Sequence, residues 1–425
     1  MKFAFYTLGC KVNQFETQAM QGLCLVRGHE IVEFDDYADV YIVNTCTVTA
    51  TGDKKSRQAA HRARRLNPDA VVALCGCYSE VSPDTAKESS GADIVWGNRD
   101  HTGLLDAIEG LRSADYNPAA GFELLAAGGL EGRTRALLKV QDGCDNYCAY
   151  CKIPYARGHI RSLPPDVAIS EAKRLSGEGY LEIVITGIEI SSYGCGQNET
   201  GSLPEITKAV CGAASDARIR LGSLYPDSVD RHFCETLIKL PNLCRHFHLS
   251  LQSGCDKTLA AMNRRYDTSG YANSLALLRE YFPDCSVTTD MICGFPGETE
   301  EDFTATLEFL RNCRFLNVHV FPYSLRAGTK AASMPEQVPA ATAKERCARA
   351  SQLVRSIRKE ILESNIGKTF DVLFESRDGE VVTGYSRNYL PFSAPFSRGL
   401  EGSIKNITAA HLSGGYLIGI SDRKD

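Results

Sequence analysis

The chain has 425 residues, 43% hydrophobic and 23% charged, with a formal net charge of −5. This composition fits two or three ordinary globular domains and argues against a strongly basic nucleic-acid binder, although a local patch can still contact phosphate. No apolar run reaches the ~18–20 residues of a membrane helix. The first residues lack the apolar core of a signal peptide, and 17 cysteines in a long chain of this kind point to metal or redox chemistry in the cytoplasm, not to disulfides.

Residues 1–112 read as an open α/β sheet domain, with strands predicted at Lys2–Leu8, Glu30–Phe34, Val40–Val43, Ala70–Leu74 and Ala92–Val95. Cysteines stand just beyond three of these runs: Cys10, Cys46 and Cys77. Ligands sit at the carboxyl ends of parallel strands, so loops about thirty residues apart can bring three thiols together. Cys75 ends an apolar run and reads as buried strand, which favours Cys77 as the third member. Cys24, Cys211, Cys234 and Cys313 sit in apolar surroundings and read as small core residues. Between Asp53 and Arg65 a helix-forming segment carries six Lys or Arg, a pattern that serves equally as a solvated face or a phosphate-contacting surface.

Residues 113–132, with Asn117-Pro118, Gly121, Gly128-Gly129 and Gly132, read as a linker. From 133 to 362 strand-like runs at Thr134–Val140, Glu182–Thr186, Arg218–Leu221, His246–Leu251, Ser286–Ile292 and Asn317–Phe321 alternate with helix-length segments. Six such units predict a barrel or incomplete barrel with its site at the carboxyl ends of the strands. The first of those ends carries Cys144, Cys148 and Cys151 in a polar loop, at the spacing C-x-x-x-C-x-x-C with Tyr150 before the last. Three thiolates can hold three irons of a [4Fe–4S] cluster and leave the fourth open. A zinc site is the rival, but it needs four ligands and no second Cys or His pair follows nearby. Other carboxyl ends hold Gly187, Gly222, Gln252 and the Cys293–Glu298 turn, where glycine permits close approach to backbone. An amphipathic helix is predicted over Thr342–Ile366, and residues 363–425 read as a small all-β module. Residues 366–425 hold seven basic and seven acidic residues, so charge does not mark the module as an RNA binder. Tyr385, Tyr389, Phe392 and Phe396 serve either base stacking or a β-barrel core.

Together these stretches resemble the methylthiotransferase family of radical S-adenosylmethionine (SAM) enzymes along essentially the whole chain. The resemblance lies in Leu8-Gly9-Cys10-Lys11-Val12-Asn13-Gln14, Asn44-Thr45-Cys46-Thr47-Val48, Gly76-Cys77-Tyr78 and the Cys144/Cys148/Cys151 loop. It continues through Ile153–Gly158, Leu249–Gly254, Gly294–Thr299 and His319–Ser324. It implies an N-terminal cluster domain, a central radical SAM partial (β/α)6 barrel and a C-terminal TRAM-like β domain. Two [4Fe–4S] clusters would then be held, one by Cys144, Cys148 and Cys151 and an auxiliary one by Cys10, Cys46 and Cys77. The first would reduce SAM to release a 5′-deoxyadenosyl radical, and the second would present the sulfur that enters the product.

Arg157, Gly187 and Gln252 are expected to position SAM or substrate. The Lys11–Gln14 and Asn44–Thr49 stretches most resemble the branch acting on N6-threonylcarbamoyladenosine beside the tRNA anticodon. Relatives act on isopentenyladenosine in tRNA or on ribosomal protein S12. The tRNA anticodon stem-loop, a reductase such as flavodoxin and a sulfur donor are the implied partners. Glu189, Tyr225 and Leu163 depart from the branch pattern, and all three are expected at the barrel rim. A radical SAM enzyme of another outcome would not need the N-terminal cysteines, and a non-enzymatic RNA-binding iron–sulfur protein would not cleave SAM.

Overall fold

The computed structural model describes residues 1–111, 113, 115–116, 121–126 and 134–421. The N-terminal sheet contains β1 (Lys2–Thr7), β2 (Glu30–Val32), β3 (Val40–Thr45), β4 (Val71–Gly76) and β5 (Ile94–Val95) in the order β2-β1-β3-β4-β5, all parallel. β3, the central strand, is buried along its whole length, as a parallel strand covered on both faces must be. Helix α1 (Lys11–Val26) follows β1 and α2 (Ala50–Leu66) follows β3, so Cys10 and Cys46 fall in the turns at the carboxyl edge.

The barrel strands are Arg135–Lys139, Glu182–Thr186, Arg218–Leu221, His246–Leu249, Ser286–Cys293 and Asn317–Pro322. The third bends at Gly222 and continues as Ser223–Leu224, which joins a three-stranded and a four-stranded parallel sheet into one curved wall. Side chains alternate across that wall. Phe247, Leu249, Val287 and Met291 pack outward in the main core, while Leu137 and Val184 face inward. Among the described residues no strand pairing closes the wall between Asn317–Pro322 and Arg135–Lys139. There α1 of the N-terminal domain lies against the first strand, with Phe15 packed on Leu137 and Val184. The partial barrel is thus completed by a helix from another part of the chain.

The expected helix is found at Ala340–Glu363, and five strands beyond it form a closed β-barrel: Thr369–Asp378, Val381–Ser386, Pro391–Pro395, Ser403–Ser413 and Tyr416–Ser421. This small barrel caps the amino-terminal ends of the central strands. The Tyr389 ring stacks on His246 at 4.4 Å and on Tyr385 at 4.6 Å, and the Arg220 guanidinium lies 4.9 Å from the Tyr389 ring centre. Phe392 is fully buried in the β-barrel core. Phe396 packs against the same core under Arg377. Tyr389 and Phe392 therefore serve packing, and Tyr385 is stacked within the same seal.

Of the expected linker, Asn117-Pro118, Gly128-Gly129 and Gly132 lie outside the described residues. Its described parts are tied down: Glu123 bonds the buried His101 at 2.7 Å, and Tyr116 donates to Glu80 at 2.8 Å.

At the floor of the central barrel, Glu182 is fully buried between Arg220 (2.7 Å), Arg218 (2.8 Å) and Arg135 (3.1 Å). Burial alone would raise its carboxyl, but the Arg220, Arg135 and Arg218 charges outweigh burial and hold it well below the ordinary carboxylate range. Arg218 and Arg220 also donate to backbone carbonyls of the C-terminal barrel at Asp371 and Arg387. Replacing Glu182 by Gln leaves three guanidiniums without their shared anion, so Glu182→Gln is expected to cost about 3–5 kcal/mol. The loss should appear as a lower thermal midpoint and faster proteolysis at the junction with the C-terminal barrel. Because the folded-state value is depressed, the stabilisation is complete at neutral pH and fades as pH falls through the carboxylate range. The gap between the two proteins should close in acid.

Candidate active site

The first cysteine set forms where three strand ends meet. Cys10 sits at the N-cap of α1, Cys46 directly follows β3, and Cys77 opens the short helix Cys77–Val81 after β4. A Cβ on Gly9 would lie 3.1 Å from the Cys46 sulfur, and one on Gly76 would lie 2.5 Å from Asn44 Oδ1. Both glycines hold positive φ, +103° and +94°, so these turns close only without a side chain. Asn13 ties the loops together: it accepts from Cys10 Sγ at 3.4 Å and donates to Asn44 Oδ1 and to the Thr45 carbonyl. Cys75 lies elsewhere, fully buried in the apolar layer of Phe3, Trp96 and Leu104. Cys77, by contrast, lies near enough to feel both Cys10 and Cys46.

The second set, Cys144, Cys148 and Cys151, occupies the loop after the first barrel strand. Gly143 has φ +75°, and a Cβ there would fall 1.9 Å from the His159 carbonyl oxygen. The Cys144 amide donates to the Gly158 carbonyl, Ala149 donates to Met262, and Ala331 donates back to Ala149. Tyr150 packs edge-on against Phe295, centroids 6.4 Å apart. Arg264 donates from Nη1 to the Cys148 sulfur at 3.4 Å. Burial pushes the free Cys144 thiol up to about 11 and both Cys151 and Cys77 up to about 12, so a metal bound there must displace protons.

Between the two sets lies a buried ionic network that local sequence did not disclose. Arg157 is fully buried and grips Glu16 with both terminal nitrogens, at 2.7 and 3.0 Å. It also donates to Asn13 at 3.1 Å and to Asp142 at 3.3 Å. Lys139 pairs with Glu16 at 2.9 Å and with Asp142 at 2.8 Å. Burial opposes the Arg157 charge, and the Glu16 and Asp142 carboxylates beside it overcome burial, so the guanidinium stays protonated. Arg157 was expected to position SAM or substrate; the structure places it between the domains, engaged by protein on both sides.

A second tie crosses the opposite edge. Arg326, after the last barrel strand, reaches Asp53 at 2.6 Å and Thr47 at 2.7 Å, both just beyond Cys46.

At the rim, Gly187 adjoins the protein's own Gln141, whose Oε1 would stand 2.8 Å from a Cβ. That oxygen accepts the Glu189 amide at 2.8 Å. Gln252 holds φ +73° while its backbone pairs on both sides with Asp290 and Ile292. A non-glycine residue in that conformation marks a strained turn of the kind found at functional sites. A cavity of about 270 Å³ beside the cluster loop is lined by Asp145, Asn146, Glu189, Ser191, Tyr225 and Arg265. Glu189 and Tyr225 therefore stand at the rim. Leu163 does not: it is a core residue that bonds Val140 and Tyr193 through its backbone.

Inside the barrel, His248 bonds Thr288 at 3.0 Å and Asp290 at 3.1 Å, and His319 stands beside it. Lys11 enters the same space. Burial first, then Arg220 and Arg135, lower its ammonium to about 8. On the basic helix, Arg57 donates to Tyr78, while Arg62 and Arg64 pair with Asp35 and Asp93. Lys54, Lys55 and Arg65 stay exposed. Arg264 and Arg326 could have been suspected from the sequence by their nearness to rim turns; Glu16 and Lys139 carried no such signal.

Gly143→Ala should block the second loop and abolish iron binding there while sparing the first set, which iron analysis of the purified variant will show. Arg157→Met leaves Glu16 and Asp142 short of a buried partner and should cost about 3–5 kcal/mol. Combined with Glu16→Gln, the loss in thermal midpoint should be smaller than the sum of the single losses.

Two family models match the chain, the radical SAM superfamily over residues 138–310 and the uncharacterized protein family UPF0004 over residues 2–97. The chain is 38% identical over 400 residues to the threonylcarbamoyladenosine tRNA methylthiotransferase MtaB of Bacillus subtilis, covering 91% of this chain and 89% of that protein. It is 37% identical to the MtaB protein of Thermotoga maritima, covering 90% and 89%. A tRNA-2-methylthio-N(6)-dimethylallyladenosine synthase of Acetivibrio thermocellus is 31% identical, covering 95% and 88%. Among solved structures, the radical SAM methyltransferase TsrM of Kitasatospora setae superposes with a TM-score of 0.58 at 14% identity, over 78% of this chain and 74% of that one, a likeness of fold. With relatives at 37–38% identity matched along nine-tenths of its length, the chain belongs to the tRNA methylthiotransferase family of radical SAM enzymes.

Proposed function

We propose that this protein converts N6-threonylcarbamoyladenosine in the tRNA anticodon stem-loop to its 2-methylthio derivative. The observation that carries this reading is the 37–38% identity, over about nine-tenths of the chain, to relatives named for that nucleoside. The dimethylallyladenosine relatives stand at 31–32%.

The residues present fit two iron–sulfur clusters. The first set offers three thiols from three separate turns and the second three from a single loop, where Arg264 donates to the Cys148 sulfur. Cys144, Cys148 and Cys151 would hold a [4Fe–4S] cluster that supplies the electron for reductive cleavage of SAM, and Cys10, Cys46 and Cys77 one that holds the sulfur to be transferred. The chain's own residues provide the placement. Arg157 with Glu16, and Arg326 with Asp53, hold the sheet edge against the barrel mouth. Phe15 and the rest of α1 close the open side of the barrel and keep bulk water from the reacting carbon. The strained turn at Gln252 and the cavity beside Glu189 and Tyr225 are the parts we assign to SAM and substrate positioning.

A reductase such as flavodoxin would donate the electron and a separate sulfur donor would recharge the second site. Exposed Lys54, Lys55 and Arg65 lie on the helix that starts just after Cys46 and offer phosphate contacts. No helix among the described residues is long and apolar enough to cross a membrane. We place the enzyme in the cytoplasm with its tRNA.

The test is mass spectrometry of tRNA nucleosides from cells with and without the gene. The 2-methylthio-N6-threonylcarbamoyladenosine should vanish on deletion and return with the intact gene, but not with Cys10→Ala or Cys148→Ala. An unchanged profile overturns the assignment. The purified protein should hold about eight irons when both clusters are built, and about four after loss of either cysteine set.

A further inference from the structure

Resting on the substrate named above, we propose that Lys11 binds the carboxylate of the threonylcarbamoyl group and thereby selects a charged N6 substituent over an apolar one. Lys11 lies one turn before Phe15, on the same face of α1. Phe15 packs on the inward-facing Leu137 and Val184, so Lys11 is directed into the barrel. Its electrostatic neighbours agree: it feels Arg220, Arg135 and Glu182 at the floor, and it acts on His246 and His319 along the far wall.

The other charged groups of that chamber have partners in the protein. Glu182 is shared by three arginines, Asp290 stands 3.1 Å from His248, and Lys139 and Arg157 are held by Glu16 and Asp142. Burial keeps His246 and His319 below their usual range, so neither adds a cation at neutral pH. Lys11 has no carboxylate within ion-pair distance among the described residues, and it is open to the chamber. An ammonium without an ion-pair partner, above a floor where three arginines share one carboxylate, calls for an anion.

Purine geometry puts the anion in reach. C2 and C6 of adenine are both bonded to N1, so a group on N6 lies within a few bonds of the carbon that receives sulfur. Lys11 directly follows Cys10, a member of the set assigned to sulfur delivery. The carboxylate of a threonylcarbamoyl group can pair with the ammonium, whereas a dimethylallyl group would cover it without a partner, which is unfavourable.

The test uses anticodon stem-loop RNAs carrying either N6-threonylcarbamoyladenosine or its methyl ester, which keeps the shape and removes the charge. Affinities are measured by fluorescence anisotropy for the wild-type holoenzyme, Lys11→Met and Lys11→Arg, each matched for iron content. A charge-assisted contact predicts that the wild-type protein prefers the acid by about 10- to 100-fold. Lys11→Met should bind both RNAs alike, and Lys11→Arg should restore the preference. Equal wild-type affinity for acid and ester, or a preference that survives in Lys11→Met, overturns the proposal. If the wild-type enzyme instead fails to convert the acid-bearing RNA at all, the proposed substrate falls; conversion with an unchanged preference in Lys11→Met removes Lys11 alone.

Discussion

The buried pair of Arg157 and Glu16 is the constraint on which the arrangement depends. Placing ions in a protein interior costs several kcal/mol each, and the cost is offset when geometry is good and further hydrogen bonds take up the remaining donors. Here both terminal nitrogens of the guanidinium are engaged, by a carboxylate from the N-terminal helix, by Asn13 from the same helix and by Asp142 from the barrel, while the buried Nε has no partner among the described residues. Asn13 touches Cys10, and Asp142 lies two residues before Cys144. One side chain therefore sets the relative position of two loops that carry sulfur. Arg326 with Asp53 and Thr47 does the same at the other edge. Two such ties resist rotation of the sheet about either one.

The features legible in the sequence were those governed by local rules. Strand periodicity, short turns and cysteines just past apolar runs are decided within about ten residues, and the three strand-end cysteines were found in this way. The choice of Cys77 over Cys75 is of the same kind, because alternation along β4 points Cys75 into the apolar layer. Contacts across long separations were not legible. Glu16 looks like an ordinary polar position on an amphipathic helix, yet its partner is 141 residues away. Lys139 sits in a strand whose inward face gives no hint that an anion will arrive from another domain. Leu163 shows the opposite failure: position in a motif suggested a rim, while burial shows a residue that packs. The aromatic residues of the last module were ambiguous because Tyr and Phe suit both a core and a stack, and only the three-dimensional register put Tyr389 on His246.

The division of labour inside the barrel also follows from alternation. Outward residues make the hydrophobic core with the surrounding helices, so the inward face is free to be polar. It carries His246, His248, Asp290 and His319 at little cost, since each finds a partner or meets solvent. The helix that fills the gap brings Phe15, Glu16 and Lys11 together, so the element that completes the wall also adds its chemistry.

The stacked Tyr389, His246 and Arg220 close the barrel at its amino-terminal end, and α1 closes its side. Among the described residues, the interior is left open at the carboxyl ends of the strands, where the Cys144/Cys148/Cys151 loop lies. A base held in its stack cannot pass this mouth, so a tRNA base must swing out of the stack to enter. What enters by that mouth also backs out through it. The modified nucleoside, now wider by a methylthio group, has to back out past the residues that admitted it, and turnover then depends on how readily that mouth lets go.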